Sequence, residues 1–341
     1  MRTPAIGLTE ELQSLAKALQ ADLPIAELEK LEADFKSVVR NLAEGYRSDP
    51  SSAFSVAKAQ KEMGLLRKYK SYGIKACSPL GYAIFLLNHD EGFSFQNHLT
   101  GKVELFHFLE VPEGGYAFVS SEDGWKLAYE KKKFQHWLDG KKDPAYDRFK
   151  IPVRVGDIVK IDKPGIVHTA VGCVLEEYAT ASTDMVERLH DQNAGKPIPK
   201  KFSKAFVRRA LDKMEFPESS SLVSVEDLSK RSLIRPKKVE FGEETTLHDS
   251  KQFVAARYQV GASKSQTVVP GKRYVSLYFT EGQGTVSFVD SSGKQGREFT
   301  IAVSKGDPIL FIPGTKWIIE NFSNISLQYS FLSVEKSCAL K

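Results

Sequence analysis

The chain predicts a mainly β protein, two similar barrels of short strands behind a helical N-terminal extension. Three observations carry this. From residue 73 apolar residues alternate, as at Tyr82, Ile84 and Leu86 or at Phe106 and Phe108, the period of a strand with one face buried. Turns rich in Gly and Pro, such as Pro112-Glu113-Gly114-Gly115, separate these runs as in a sandwich or barrel. The stretch from Gly156-Asp157 to His168 also recurs as Gly306-Asp307 to Trp317, with a Gly-Asp turn, an apolar strand and a Pro-Gly turn each time.

Residues 1–72 are expected to form the extension. Thr9 precedes Glu10-Glu11 and the apolar set Leu12, Leu15 and Leu19, which share one helical face. Leu28, Leu31, Phe35, Val38 and Leu42 do the same over Pro24 to Leu42, and Asp49-Pro50-Ser51-Ser52 caps a third helix over Ala53–Tyr69. These helices are expected to pack on a barrel or to form a homodimer contact. Residues 73–194 form the first barrel, with an inserted helix and loop over 122–150 containing Trp125, Phe134 and Trp137. Strand character returns over Val153–Thr180, and Thr183–Asn193 reads as a turn and short helix. Residues 195–238, with four prolines and many lysines, form a linker with one helix near Ser203 to Met214, and residues 239–335 form the second barrel.

Bulk properties narrow the class. The chain has 341 residues, long enough for two domains and an extension, and is 41% hydrophobic and 27% charged, which argues against disorder. No apolar run approaches the ~20 residues of a membrane span, and the N-terminus lacks a signal-peptide core. Cys77, Cys173 and Cys338 form no framework and read as packing thiols of a reducing compartment. A cytosolic protein is expected. The net charge of +5, from 48 basic and 43 acidic residues, suits an anionic small-molecule substrate but is no nucleic-acid footprint.

The chemistry lies in Gln96, His98 and Glu104, followed later by His168. Two imidazole nitrogens, a carboxylate and an amide oxygen can hold one divalent transition metal and leave a position open. If residues 99–102 bend between two strands, Gln96, His98 and Glu104 all face the interior, and His168 enters from a neighbouring strand after the Pro164-Gly165 turn. The second barrel fails the same test: aligned on its turns, Val275 falls where Glu104 stands and Trp317 where His168 stands. His107 has the opposite parity from Glu104 and is expected outside.

The order of these parts resembles the two motifs of the cupin superfamily, and their repetition resembles a bicupin, two double-stranded β-helix (jelly-roll) barrels in one chain. Ser94-Phe95-Gln96-Asn97-His98 is similar to the Gln-x-His segment of type I mannose-6-phosphate isomerases, although Leu99 stands where that family has proline. Glu176 through Asp191 is similar to the strand and acidic segment that closes cupin-type sugar isomerases. The resemblance implies a metal centre on Gln96, His98, Glu104 and His168, with zinc as the ion and iron or manganese as alternatives. It implies aldose–ketose isomerisation of a sugar or sugar phosphate, in which the cation stabilises an enediolate and a base moves the proton. Glu176, whose even spacing from His168 points it inward, is the expected base, with Arg188 the other candidate for the proton shuttle, and Lys102 and Lys163 are expected to hold an anionic group.

Two other readings stand beside this one. Cupins with Fe(II) activate oxygen, and the aromatic set Phe95, Phe106, Phe108, Tyr116 and Phe118 suits an apolar substrate of a dioxygenase or oxidative lyase. A bicupin can also bind a small ligand without catalysis.

Overall fold

The computed structural model describes residues 34, 37–41, 50–62, 74–78, 82–86, 95–98, 102–119, 150–161, 168–180, 186–190, 234–289 and 295–335. The expected helices before residue 34, most of the insert over 122–150 and most of the linker lie outside these residues, as do Lys163, Pro164 and Gly165. The strands at 74–78, 82–86, 95–98 and 186–190 are described by their backbone alone. The described chain forms two compact units, one on residues 83–233 and one on residues 234–341 that also takes in the helix α1 (Pro50–Glu62). None of the described helices is long and apolar enough to cross a membrane.

The strands up to residue 190 are β1 (Ile74–Ser78), β2 (Tyr82–Leu86), β3 (Phe95–His98), β4 (Glu104–Glu110), β5 (Tyr116–Val119), β6 (Lys150–Pro152), β7 (Ile158–Ile161), β8 (His168–Val171), β9 (Val174–Ala179) and β10 (Val186–His190). They form two five-stranded sheets, ordered β1-β2-β9-β4-β7 and β10-β3-β8-β5-β6. The expected helix over Thr183–Asn193 is corrected here, since Val186–His190 is a strand. Its apolar residues, Val186 and Leu189, sit at helical spacing, but antiparallel pairing with β3 decides the matter.

The second unit contains β11 (Lys237–Val239), β12 (Gly242–Asp249), β13 (Phe253–Val260), β14 (Ser265–Val268), β15 (Arg273–Glu281), β16 (Gln283–Val289), β17 (Gln295–Ser304), β18 (Pro308–Phe311), β19 (Trp317–Glu320) and β20 (Leu327–Glu335). Its sheets run β11-β12-β13-β20-β15-β18 and β14-β19-β16-β17. The order β2-β9-β4-β7 of the first unit is thus repeated by β13-β20-β15-β18, and β3-β8-β5-β6 by β14-β19-β16-β17. This is the interleaved strand order of a jelly roll, twice.

The repeat extends to single hydrogen bonds. Gly156 and Gly306 sit at φ 88° and 95°, where a side chain is strained. Their N–H groups donate to the carbonyls of Phe108 and Phe279, each at 2.8 Å. The carboxylates of Asp157 and Asp307 accept from the backbone N–H three residues earlier, at 2.7 and 2.8 Å. This side-chain closure of the turn pins the register of the following strand, β7 or β18, against β4 or β15.

The helix α1 begins at Pro50, a residue preorganised for a first helical turn, somewhat before the expected Ala53. Ala53, Val56 and Ala57 are fully buried. Phe54 meets Phe299 edge-on at 5.6 Å. Lys61 donates to the Ala302 carbonyl on the edge strand β17 and lies 3.6 Å from Asp307, which blunts that edge.

Candidate metal centre

The first sheet brings its acidic groups to β4 and β9, which pair with Glu104 opposite Ala179, Phe106 opposite Glu177 and His107 opposite Glu176. Paired residues share a face, and faces alternate along a strand. Glu104, Phe106, Phe108 and Glu177 therefore face one way, and His107, Glu176 and Tyr178 the other. The first face is the interior, because His168 reaches it from the opposite sheet. Its Nε2 lies 3.0 Å from Glu104 Oε2, with both side chains fully buried.

Lys102 completes this group. Its ammonium donates to Glu104 Oε1 and lies 3.6 Å from Glu177 Oε1. Burial works against the Lys102 charge, but Glu104 and then Glu177 more than offset it and hold its pKa above the ordinary lysine value. Burial, reinforced by the nearby Glu104 charge and opposed by Lys102, pushes Glu177 up to about 8. A clamp holds the start of β4: Val103 N–H donates to Thr180 Oγ1 at 3.0 Å, and Thr180 N–H to the Val103 carbonyl at 2.9 Å.

Gln96 is the direct cross-strand partner of His168, and on its other side it is opposite Arg188; His98 is opposite Val186. The backbone register thus brings the positions of Gln96, His168 and Arg188 into one row, while the side chains of Gln96, His98 and Arg188 lie outside the described residues. Among the described residues no group of three or more His, Cys, Asp and Glu side chains gathers as a metal site. Glu104 and His168 form a pair that fits the donor set: two ligands about 2.1 Å from one ion, at 90–110°, stand about 3.0–3.4 Å apart.

Two expectations are corrected. Glu176 does not share the interior with Glu104 and His168. It lies on the opposite face, where its Oε2 is 2.9 Å from His107 Nδ1 and accepts from the Tyr178 hydroxyl at 3.1 Å. Counting by twos from His168 fails because the chain passes from one sheet to the other through Gly172 and Cys173, which resets the phase. Glu177 is the interior carboxylate that this count missed, and only its register with Phe106 identifies it. His107 does lie on the outward face but is buried, 7% exposed, rather than solvated. Of the aromatic set, Phe106 and Phe108 are interior, and the Phe106 ring is 5.9 Å from that of His168. Phe118 and Tyr116 pair with Thr169 and Val171 and so take the face opposite His168.

The second unit shows what replaces this centre. Val275 pairs with the last residue of β18 as Glu104 pairs with the last of β7, and Trp317 opens β19 opposite Val268 as His168 opens β8 opposite Gln96. Phe331 stands in the register of Glu177. The sequence alignment of Val275 and Trp317 thus agrees with the register. Trp317 is fully buried, stacked on Phe311 at 4.5 Å and edge-on to Phe288 at 5.2 Å, and its Nε1–H donates to Thr315 at 2.8 Å.

Two jelly-roll barrels of one strand order in a single chain make a doubled jelly-roll fold. No protein-family model matches the chain, and no curated protein matches it. Among solved structures it is similar to a mannose 6-phosphate isomerase from Bacillus subtilis, at 14% identity over 74% of each chain and a TM-score of 0.47. It is similar to a Bacillus subtilis oxalate decarboxylase at 13% identity, over 80% of this chain and 70% of that one, with a TM-score of 0.46. A cupin domain of Schizosaccharomyces pombe Cnp3 matches 28% of this chain and 65% of its own, at 12% identity and a TM-score of 0.24.

Proposed function

We propose that this protein is a bicupin and a metal-dependent enzyme whose N-terminal barrel holds one divalent ion on Gln96, His98, Glu104 and His168, and that it isomerises a polar, sugar-like substrate. The observation that carries this is the pair of buried ligand atoms, Glu104 Oε2 and His168 Nε2, 3.0 Å apart between two sheets, with Gln96 in register beside His168. An ion held there polarises a substrate carbonyl and stabilises the negative charge that develops on its oxygen. Glu177 moves the proton between neighbouring carbons: it faces the same interior and keeps 13% side-chain exposure. Arg188, in register with Gln96, and Lys163 supply positive charge for an anionic substituent.

The Phe106 ring beside His168 favours a second reading, an Fe(II)-dependent oxygenase of a less polar substrate. Metal analysis of protein purified without chelator separates the two. One zinc or manganese per chain with aldose–ketose interconversion supports the isomerase, and iron with oxygen uptake supports the oxygenase. His98→Ala and His168→Ala are expected to lose the ion and Trp317→Leu to keep it. Full activity after exhaustive chelation overturns both readings.

A further inference from the structure

We propose that Lys102 is a built-in competitor of the metal ion: its ammonium occupies Glu104 Oε1, and a divalent cation gains the full carboxylate only by driving Lys102 across to Glu177. This holds only if the quartet is a metal centre, as proposed above. The geometry points to competition because both Glu104 oxygens are engaged, Oε1 by Lys102 and Oε2 by His168. A fully buried carboxylate needs a positive partner or strong donors, and here the chain carries that partner two residues before the carboxylate. Glu177 Oε1, 3.6 Å from the Lys102 nitrogen, is a second acceptor ready to receive it. One ammonium thus has two carboxyl partners, and leaving the first does not strand it without an acceptor.

The second barrel supports the pairing of these functions. There the register of Glu104 holds Val275 and that of Glu177 holds Phe331, while Arg273, in the register of Lys102, turns away to donate to the backbone carbonyls of Ser250 and Lys251. Where the carboxylates are gone, the cation no longer enters the barrel.

The test is equilibrium dialysis of zinc or manganese against chelator-stripped protein. Lys102→Met is expected to bind one ion about tenfold or more tighter than the wild type, the usual worth of a charge-assisted hydrogen bond that no longer has to be broken. Lys102→Gln, which keeps a donor without the charge, should fall between. Glu177→Gln is expected to weaken binding about fivefold or more, by removing the acceptor for the displaced ammonium, yet to change nothing in a Lys102→Met background. Equal or weaker binding by Lys102→Met overturns the proposal while leaving the metal centre standing, as does a Glu177→Gln effect that persists without Lys102. Failure of both the wild type and Lys102→Met to bind one ion per chain overturns the metal reading itself, and this proposal with it.

Discussion

The two barrels share a strand order, a Gly-Asp turn and a register, yet where one places carboxylates and an imidazole the other places apolar side chains. In the N-terminal barrel Lys102, Glu104, Glu177 and His168 meet between the sheets; in the same registers the C-terminal barrel places Arg273, Val275, Phe331 and Trp317. The scaffold does not require the polar centre, because its twin folds without one. Buried ionic groups cost desolvation that apolar packing avoids, and in these registers the N-terminal barrel bears that cost while the C-terminal barrel places Val275, Phe331 and Trp317.

The sharpest way to break the comparison is to carry charge across it. Val275→Glu places a carboxylate in an apolar interior with neither a lysine nor an imidazole in register, and is expected to destabilise by about 4 kcal/mol or more. Denaturant titration checks this, and a neutral outcome would mean that the second barrel tolerates the first one's groups after all. Next in size, Trp317→Ala removes the ring that fills the position of His168. About 3–5 kcal/mol is expected, with the metal content unchanged. A smaller, matched effect tests the shared scaffold. Gly156→Ala and Gly306→Ala each force a side chain into a left-handed backbone with open space around it, so each should cost about 1–2 kcal/mol and by similar amounts. Unequal losses would show that the two turns do not bear the same strain.

A separate test concerns pH. Glu177 has its pKa raised from 4.5 to about 8 in the folded protein. Between these values the folded state holds a proton that the unfolded chain has released, so stability from this group falls as pH rises through that window. The melting temperature of chelator-stripped wild type should therefore drop relative to that of Glu177→Gln between pH 5 and 8. A gap that stays constant would remove Glu177 from the set of buried titrating groups.

Much of this was legible in the sequence. The alternation through Leu105, Phe106, His107 and Phe108 marks a strand, and the repeated Gly-Asp turn fixes where the strand after it begins. Other turns, at Gly282 and at Pro313-Gly314, are why Val275 and Trp317 could be matched to Glu104 and His168 without coordinates. The failures share one cause. Val186–His190 has the spacing of a short helix as much as of a strand, and its pairing with β3, distant in sequence, decides. Glu176 and Glu177 are neighbours of one residue type, and parity counted along the chain is lost where it crosses between sheets at Gly172.

What the sequence by itself determined was a doubled β-barrel, the four candidate ligand residues of its first half and the different residues that align with Glu104 and His168 in its second, because local period and turn chemistry depend on neighbours in the chain. Which carboxylate enters the barrel, and that Lys102 shares Glu104 with His168, only the tertiary structure decided. Those facts depend on cross-strand register, set by hydrogen bonds between segments up to about eighty residues apart, and a slip of one residue sends every side chain to the other face.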